Sequence, residues 1–162
     1  MPLTHGGRHR AEWDHTGERI RAVTRRELPE GTVLLDVTDV SYASFAKDFL
    51  ERTGHQALVC HGPSHGLCPL LAGAGCEKLD AAHGVVFQFD LDRPEHRTIL
   101  ARYKKILDPE IPVRVVVEHG QDRAYSELLA GTDVWAREPT AGDLDAFAAE
   151  VEAADQSRST NE

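Results

Sequence analysis

The sequence lacks most of the features that would assign it at a glance. No apolar run approaches the ~20 residues of a bilayer-spanning helix, and the polar start does not read as a signal peptide. There are only 3 cysteines, an odd number, which argues against a purely disulfide framework and for reduced thiols in a cytoplasmic protein. Cations are scarce: 18 Lys and Arg against 27 Asp and Glu leave a net charge of −9. That balance does not suit nucleic acid, whose phosphates must be neutralised, and the lack of a long apolar stretch gives no membrane partner. There is no Gly-x-Gly-x-x-Gly, no Walker loop and no Gly-x-Ser-x-Gly, so nucleotide binding and hydrolase chemistry have no motif behind them. An enzyme is the least supported class, and no internal repeat is visible.

What is present suits one domain. A chain of 162 residues can bury roughly two thirds of its unfolded surface without staples, and its 41% hydrophobic and 28% charged content is ordinary. Charge is spread unevenly. Residues 1–26 hold six arginines and three acids, whereas residues 133–162 hold eight acids and two arginines. The sequence divides into a basic, partly disordered arm (1–28), an α/β domain (29–154) and a disordered tail (155–162). Within the arm, 11–28 reads equally as helix or extended chain. His9-x2-Glu12-x2-His15 has ligand residue types, but an arm of this kind more often leaves them solvated.

The organising signal is alternation. Apolar runs at 33–37, 57–60, 85–89 and 113–117, then a shorter one at 133–136, are separated by stretches of helical period. Phe45, Phe49 and Leu50 mark one helix, ended by Gly54; a brief helix is expected within 69–80. Pro94 opens a third over 95–107 with Ile99, Tyr103, Ile106 and Leu107 inward, and short helices follow at 123–129 and 143–154. Strand–helix alternation predicts a parallel sheet wrapped by helices, whose ligands sit at the carboxyl ends of the strands. The residues leaving each strand therefore matter most: Asp36 and Asp39, Cys60 and His61, Asp90 and Asp92, Glu118 and His119, Arg137 and Glu138. Glu118-His119 has acid–base chemistry, though a solvated loop pair is the plainer reading.

The second concentration of chemistry is Cys60, His61, His65, Cys68 and Cys76, five metal-ligating residues within 17. Thiolate and imidazole suit zinc or iron, and a loop rich in Gly and Pro can aim several ligands at one point. The spacing Cys-x7-Cys-x7-Cys matches no zinc-ribbon pattern, and Cys68-Pro69 is only faintly like the Cys-Pro of some haem sensors. Three readings stay open here: small buried hydrophobes, a metal or cluster site, and a redox-responsive thiol set. No cofactor is firmly implied.

Phe89-Asp90-Leu91-Asp92-Arg93-Pro94 carries a resemblance to a family. An aspartate closing the third strand four residues before a proline resembles the phosphoacceptor turn of response-regulator receiver domains. Gly54-His55, Pro112, Ala130-Gly131-Thr132-Asp133 and Glu138-Pro139 follow in the family's order. The resemblance covers about 31–154 and implies a flavodoxin-like (CheY-like) doubly wound sheet of five parallel strands, order 2-1-3-4-5. It makes Asp90 the phosphoacceptor-like residue, with Asp36, Asp39 and Asp92 as the acidic pocket around it.

The rest of the family's machinery is missing. Its paired acids fall on Val37 and Thr38, its Ser/Thr on Val117 and its Lys on Glu138. Mg²⁺ prefers a shell of oxygen ligands, so it is not expected here, and a phosphorylated Asp90 would face Glu138, a like charge. The resemblance thus implies a stand-alone, degenerate receiver-like regulatory module, uncoupled from conventional phosphorylation. With no room for an output domain after 154, its partner is another protein or a second copy of itself. The family's usual contact face maps onto Tyr125, Leu128, Val134, Trp135 and Phe147. The rival is a metal- or redox-responsive sensor built on the Cys/His loop.

Overall fold

A computed structural model describes residues 30–161, and before them only a two-residue antiparallel ladder pairing Glu12–Trp13 with Arg19–Ile20. The ladder makes part of the 11–28 stretch extended. The rest of the arm, with His9 and His15, lies outside the described residues. Five strands form one sheet: β1 (Val33–Asp36), β2 (Ala57–Cys60), β3 (Gly84–Phe87), β4 (Val113–Val116) and β5 (Asp133–Trp135). All four pairings are parallel, as the alternation predicts, and the order is β2-β1-β3-β4-β5, the doubly wound arrangement that the resemblance to receiver domains implies.

Six helices connect and cover the strands: α1 (Val40–Arg52), α2 (Glu77–Ala81), α3 (Pro94–Ile106), α4 (Gln121–Ala124), α5 (Ser126–Leu129) and α6 (Ala141–Thr160). Strand side chains alternate between faces, so the sheet makes two cores. Val33, Leu35, Val37 and Val86 pack with Ala46, Leu50, Leu144, Phe147 and Val151 of α1 and α6. Leu34, Val85, Phe87 and Val115 pack with Leu79, Ile99, Leu100 and Tyr103 of α2 and α3. Gly84 allows α6 its close approach: a Cβ there would lie 2.3 Å from Val151 Cγ2.

Several helices depart from the sequence reading. The buried stripe of α1 is Tyr42, Ala43, Ala46 and Leu50, while Phe45 is 44% exposed and stacks on Phe49. In α3, His96 and Leu100 are buried and Ile106 is 53% exposed, because the buried stripe runs 96-99-100-103. The expected 123–129 helix is two short ones broken at Tyr125. The brief helix within 69–80 forms only from Glu77, after turns.

The tail is also corrected. α6 runs through Thr160, where a polar tail was expected from 155. Asp155 is buried, accepts the Gly31 N–H at 2.8 Å and pairs with Arg158 and His83, which ties the end of α6 to the entry of β1. At its start, Thr140 and Asp143 form a capping box: the Thr140 hydroxyl accepts the Asp143 N–H, and the Asp143 carboxylate accepts the Thr140 N–H at 2.8 Å.

Candidate functional site

Chains leave β1 and β3, neighbours in the sheet, toward opposite faces, which opens a crevice at their carboxyl ends. A cavity of about 500 Å³ occupies it, lined among others by Thr38, Asp39, Asp90, Glu118, His119 and Glu138. Asp90 sits there, three residues past β3. Its Oδ1 accepts two hydrogen bonds, from the Asp92 N–H at 2.9 Å and from Gln121 Nε2 at 2.8 Å. Gln121 is 3% exposed and opens α4 after Gly120 turns the chain with φ 83°; its Oε1 accepts the Glu118 N–H at 2.9 Å. A neutral amide thus grips the carboxylate. Nothing in the periodicity marks Gln121: a glutamine in a short helix is unremarkable until the fold sets it over Asp90.

The remaining rim groups are similarly committed. His96 stacks on Phe89 with ring centroids 4.9 Å apart, and its Nδ1 lies 2.8 Å from the Asp90 carbonyl. Asp92 is exposed, lies outside the cavity lining and accepts the Tyr125 hydroxyl at 2.8 Å, which pushes that phenol up. Arg97 lies 5.0 Å from the Tyr125 ring centroid and donates to the Leu91 carbonyl at 2.7 Å. Asp39 lines the cavity but caps α1, accepting the Tyr42 N–H at 2.9 Å. Arg137 turns to Asp143, 2.6 Å away. That guanidinium, helped by Thr140, pulls the Asp143 carboxyl down to about 2. Glu138 lines the cavity where the receiver pattern has its lysine.

Asp36 is not part of this pocket, contrary to the expectation. Strand alternation gives it the parity of Leu34, so it points beneath the sheet edge toward α2 and α3. It is wholly buried, and neither carboxylate oxygen has a hydrogen-bond partner among the described residues. Burial pushes its pKa from 3.8 up to about 7. The Tyr103 hydroxyl, which interacts with it, and the Lys78 charge oppose that shift without undoing it.

The receiver family uses Mg²⁺ at the rim, and these residues do not fit it. Asp36 faces away, Asp39 is occupied as a cap, Asp90 has one oxygen saturated, and the hydroxyl position is Val117, 2% exposed. Among the described residues, no three His, Cys, Asp or Glu side chains are arranged to hold a metal ion.

Cys60, Cys68 and Cys76 are all free, half-buried and packed against the α2/α3 core. His61 Nδ1 lies 2.9 Å from the Val37 carbonyl, and its ring is 5.3 Å from that of the exposed His65. Of the expected contact face, Tyr125, Leu128, Val134 and Trp135 are half-buried on the β5 side. Phe147 is a correction: at 2% exposure it is core, edge-on to Trp135, and no partner can reach it.

No family model matches the chain, and no curated protein sequence does. Its fold, however, is found among solved structures. A response regulator receiver domain protein from Clostridium thermocellum is 20% identical, covers 81% of this chain and 98% of its own, and has a TM-score of 0.57. The receiver domain of Francisella response regulator 1452 is 16% identical over 75% and 96% of the two chains, with a TM-score of 0.55. NtrX from Brucella abortus gives 20% identity and a TM-score of 0.58 over 80% of this chain, which spans only 28% of NtrX. The class is thereby defined: a five-stranded parallel sheet with the receiver fold. No helix among the described residues is long and apolar enough to cross a membrane.

Proposed function

We propose that this chain is a cytoplasmic signalling module on the receiver fold, acting through contact with another protein and not through phosphoryl transfer to Asp90. The observation that carries the reading is the state of Asp90. Its carboxylate is held by Gln121 and the Asp92 N–H, while Glu138 stands where an incoming phosphoryl group would need a cation. A phosphoryl group added there would bring about −1.5 to −2 charge beside Glu138 and Glu118 with no lysine to clamp it.

Partner contact is assigned to the β5 side, where Leu128, Val134 and Trp135 are half-buried. The test has two arms. Incubation with acetyl phosphate and Mg²⁺ leaves the intact mass unchanged, as it does in Asp90→Ala; a single phosphoryl adduct lost in Asp90→Ala would overturn the reading. In cells, Trp135→Glu removes crosslinks that Ile106→Glu retains. Crosslinks indifferent to both would refute the assigned face, and crosslinks only between copies would replace the partner by self-association.

A further inference from the structure

The arm before the domain has no part in that reading, and an uncovered seam begins where it joins. α1 and α6 lie side by side on one face of the sheet and run the same way. At their starts the Tyr42 hydroxyl donates to the Pro139 carbonyl at 2.7 Å; at their far ends His55 Nδ1 lies 3.0 Å from Glu152 Oε1. Tyr42 therefore marks the flank of α1 that faces α6. Phe45 and Phe49 continue that flank at helical spacing, with ring centroids 5.9 Å from Tyr42 to Phe45 and 6.4 Å from Phe45 to Phe49. Phe45 is exposed, so this aromatic ladder opens to solvent.

The other wall of the seam is acidic. Glu152 reaches toward His55, and Asp145, two turns earlier on α6, falls on the same side of the helix. Asp48, one turn from Phe45, adds a third carboxylate on the α1 side. Asp48 and Asp145 are both exposed, and neither has an ion pair among the described residues. Arg52 is the cation of this flank, its Nε donating to the Asp48 carbonyl at 3.3 Å; Lys47 faces the other way and pairs with Glu51. Aromatic rings on one wall and carboxylates on the other suit a segment that is both cationic and apolar. A second copy of the domain is a poor fit, because it would bring acidic surface against acidic surface in a chain of net charge −9.

We propose that residues 19–26 of this chain dock in the seam between α1 and α6, with apolar side chains against Phe45 and Phe49 and guanidiniums toward Asp48, Asp145 and Glu152. That segment reads Arg-Ile-Arg-Ala-Val-Thr-Arg-Arg, four arginines without an acid, and its first two residues are already extended in the ladder with Glu12–Trp13. Its point of entry is at the right end. Gly31 leads into β1 with φ 78° against Glu152, where a Cβ would lie 2.6 Å from Glu152 Cγ. From His55 back to Tyr42 is about 20 Å along the helix, and residues 19–26 in extended form span about 26 Å. The tether makes the contact intramolecular and so raises its effective concentration. Because charge supplies part of the contact, salt or a competing acidic surface releases the arm.

The test is NMR of the full, nitrogen-labelled chain. Backbone order parameters of residues 19–26 stand near about 0.85 in the parent and fall below about 0.6 in Phe45→Ser. Asp145→Lys, which removes no core contact, frees the segment likewise, and the dispersion of each spectrum reports its fold. Replacing Arg19, Arg21, Arg25 and Arg26 together by serine shifts the amides of 45–52 and 145–152 and leaves those around Ile106 in place. Raising salt from about 0.01 M to about 1 M shortens the screening length from about 30 Å to about 3 Å, and reproduces those shifts in the parent but not in the serine variant. Order parameters below about 0.6 for 19–26 in the parent, or α1 amides indifferent to the serines, would overturn the docking. Shifts that grow with protein concentration would also overturn it, and put a second copy in the seam. None of these outcomes bears on Asp90 or on crosslinks at Trp135, so this contact and the signalling reading fail separately.

Discussion

The clearest energetic consequence of the fold is that Asp36 should make the protein less stable as pH rises. Its folded pKa of about 7 lies some three units above the ordinary 3.8, because burial penalises the charged form. A raised acid pKa favours the folded state only while the group is protonated in both states. The contribution is therefore complete below about pH 4, shrinks as the unfolded chain ionises first, and is gone above about pH 7. At 1.36 kcal/mol per unit, three units set an upper bound of roughly 4 kcal/mol, lost at up to about 1.4 kcal/mol per pH unit. Asp36→Asn removes the titration and keeps the shape. Urea unfolding of both proteins at a series of pH values between 4 and 8 isolates the carboxyl, since other groups cancel in the difference. The variant should gain on the parent steadily to pH 7 and hold a constant advantage beyond. Parallel profiles across that range would mean that Asp36 is not desolvated, and the account of this face would fall.

Two further outcomes test the packing around the rim. Gln121→Leu strips Asp90 of a donor and the Glu118 N–H of its acceptor, so thermal unfolding should report a loss of about 1–3 kcal/mol; no loss would show that water replaces the amide freely. Asp155→Ala leaves the buried Gly31 N–H unpaired and should cost about 1–3 kcal/mol by urea unfolding, whereas a solvated tail would tolerate the change unaltered.

The fold was legible because its signals are local. β-branched and apolar runs four or five residues long, separated by helical periods, point to a parallel sheet wrapped by helices, while the order β2-β1-β3-β4-β5 came from the resemblance to receiver domains. Asp90 was legible for the same reason: a strand end and a proline four residues on are features of contiguous chain. The edges of elements were harder. The helix broken at Tyr125 and the extension of α6 past Ala154 depend on contacts such as Asp155 with Gly31, 124 residues away, which no window of sequence contains.

Sequence by itself determined that this is an α/β domain and roughly where its strands lie. Tertiary structure alone decided what its side chains do to one another. Strand parity took Asp36 from the rim and buried it beside Cys60, the turn at Gly120 brought Gln121 onto Asp90, and core packing withdrew Phe147 from any surface. The physical reason is that periodicity records which side of an element is apolar. Hydrogen-bond partners and desolvation are properties of groups brought together from distant parts of the chain.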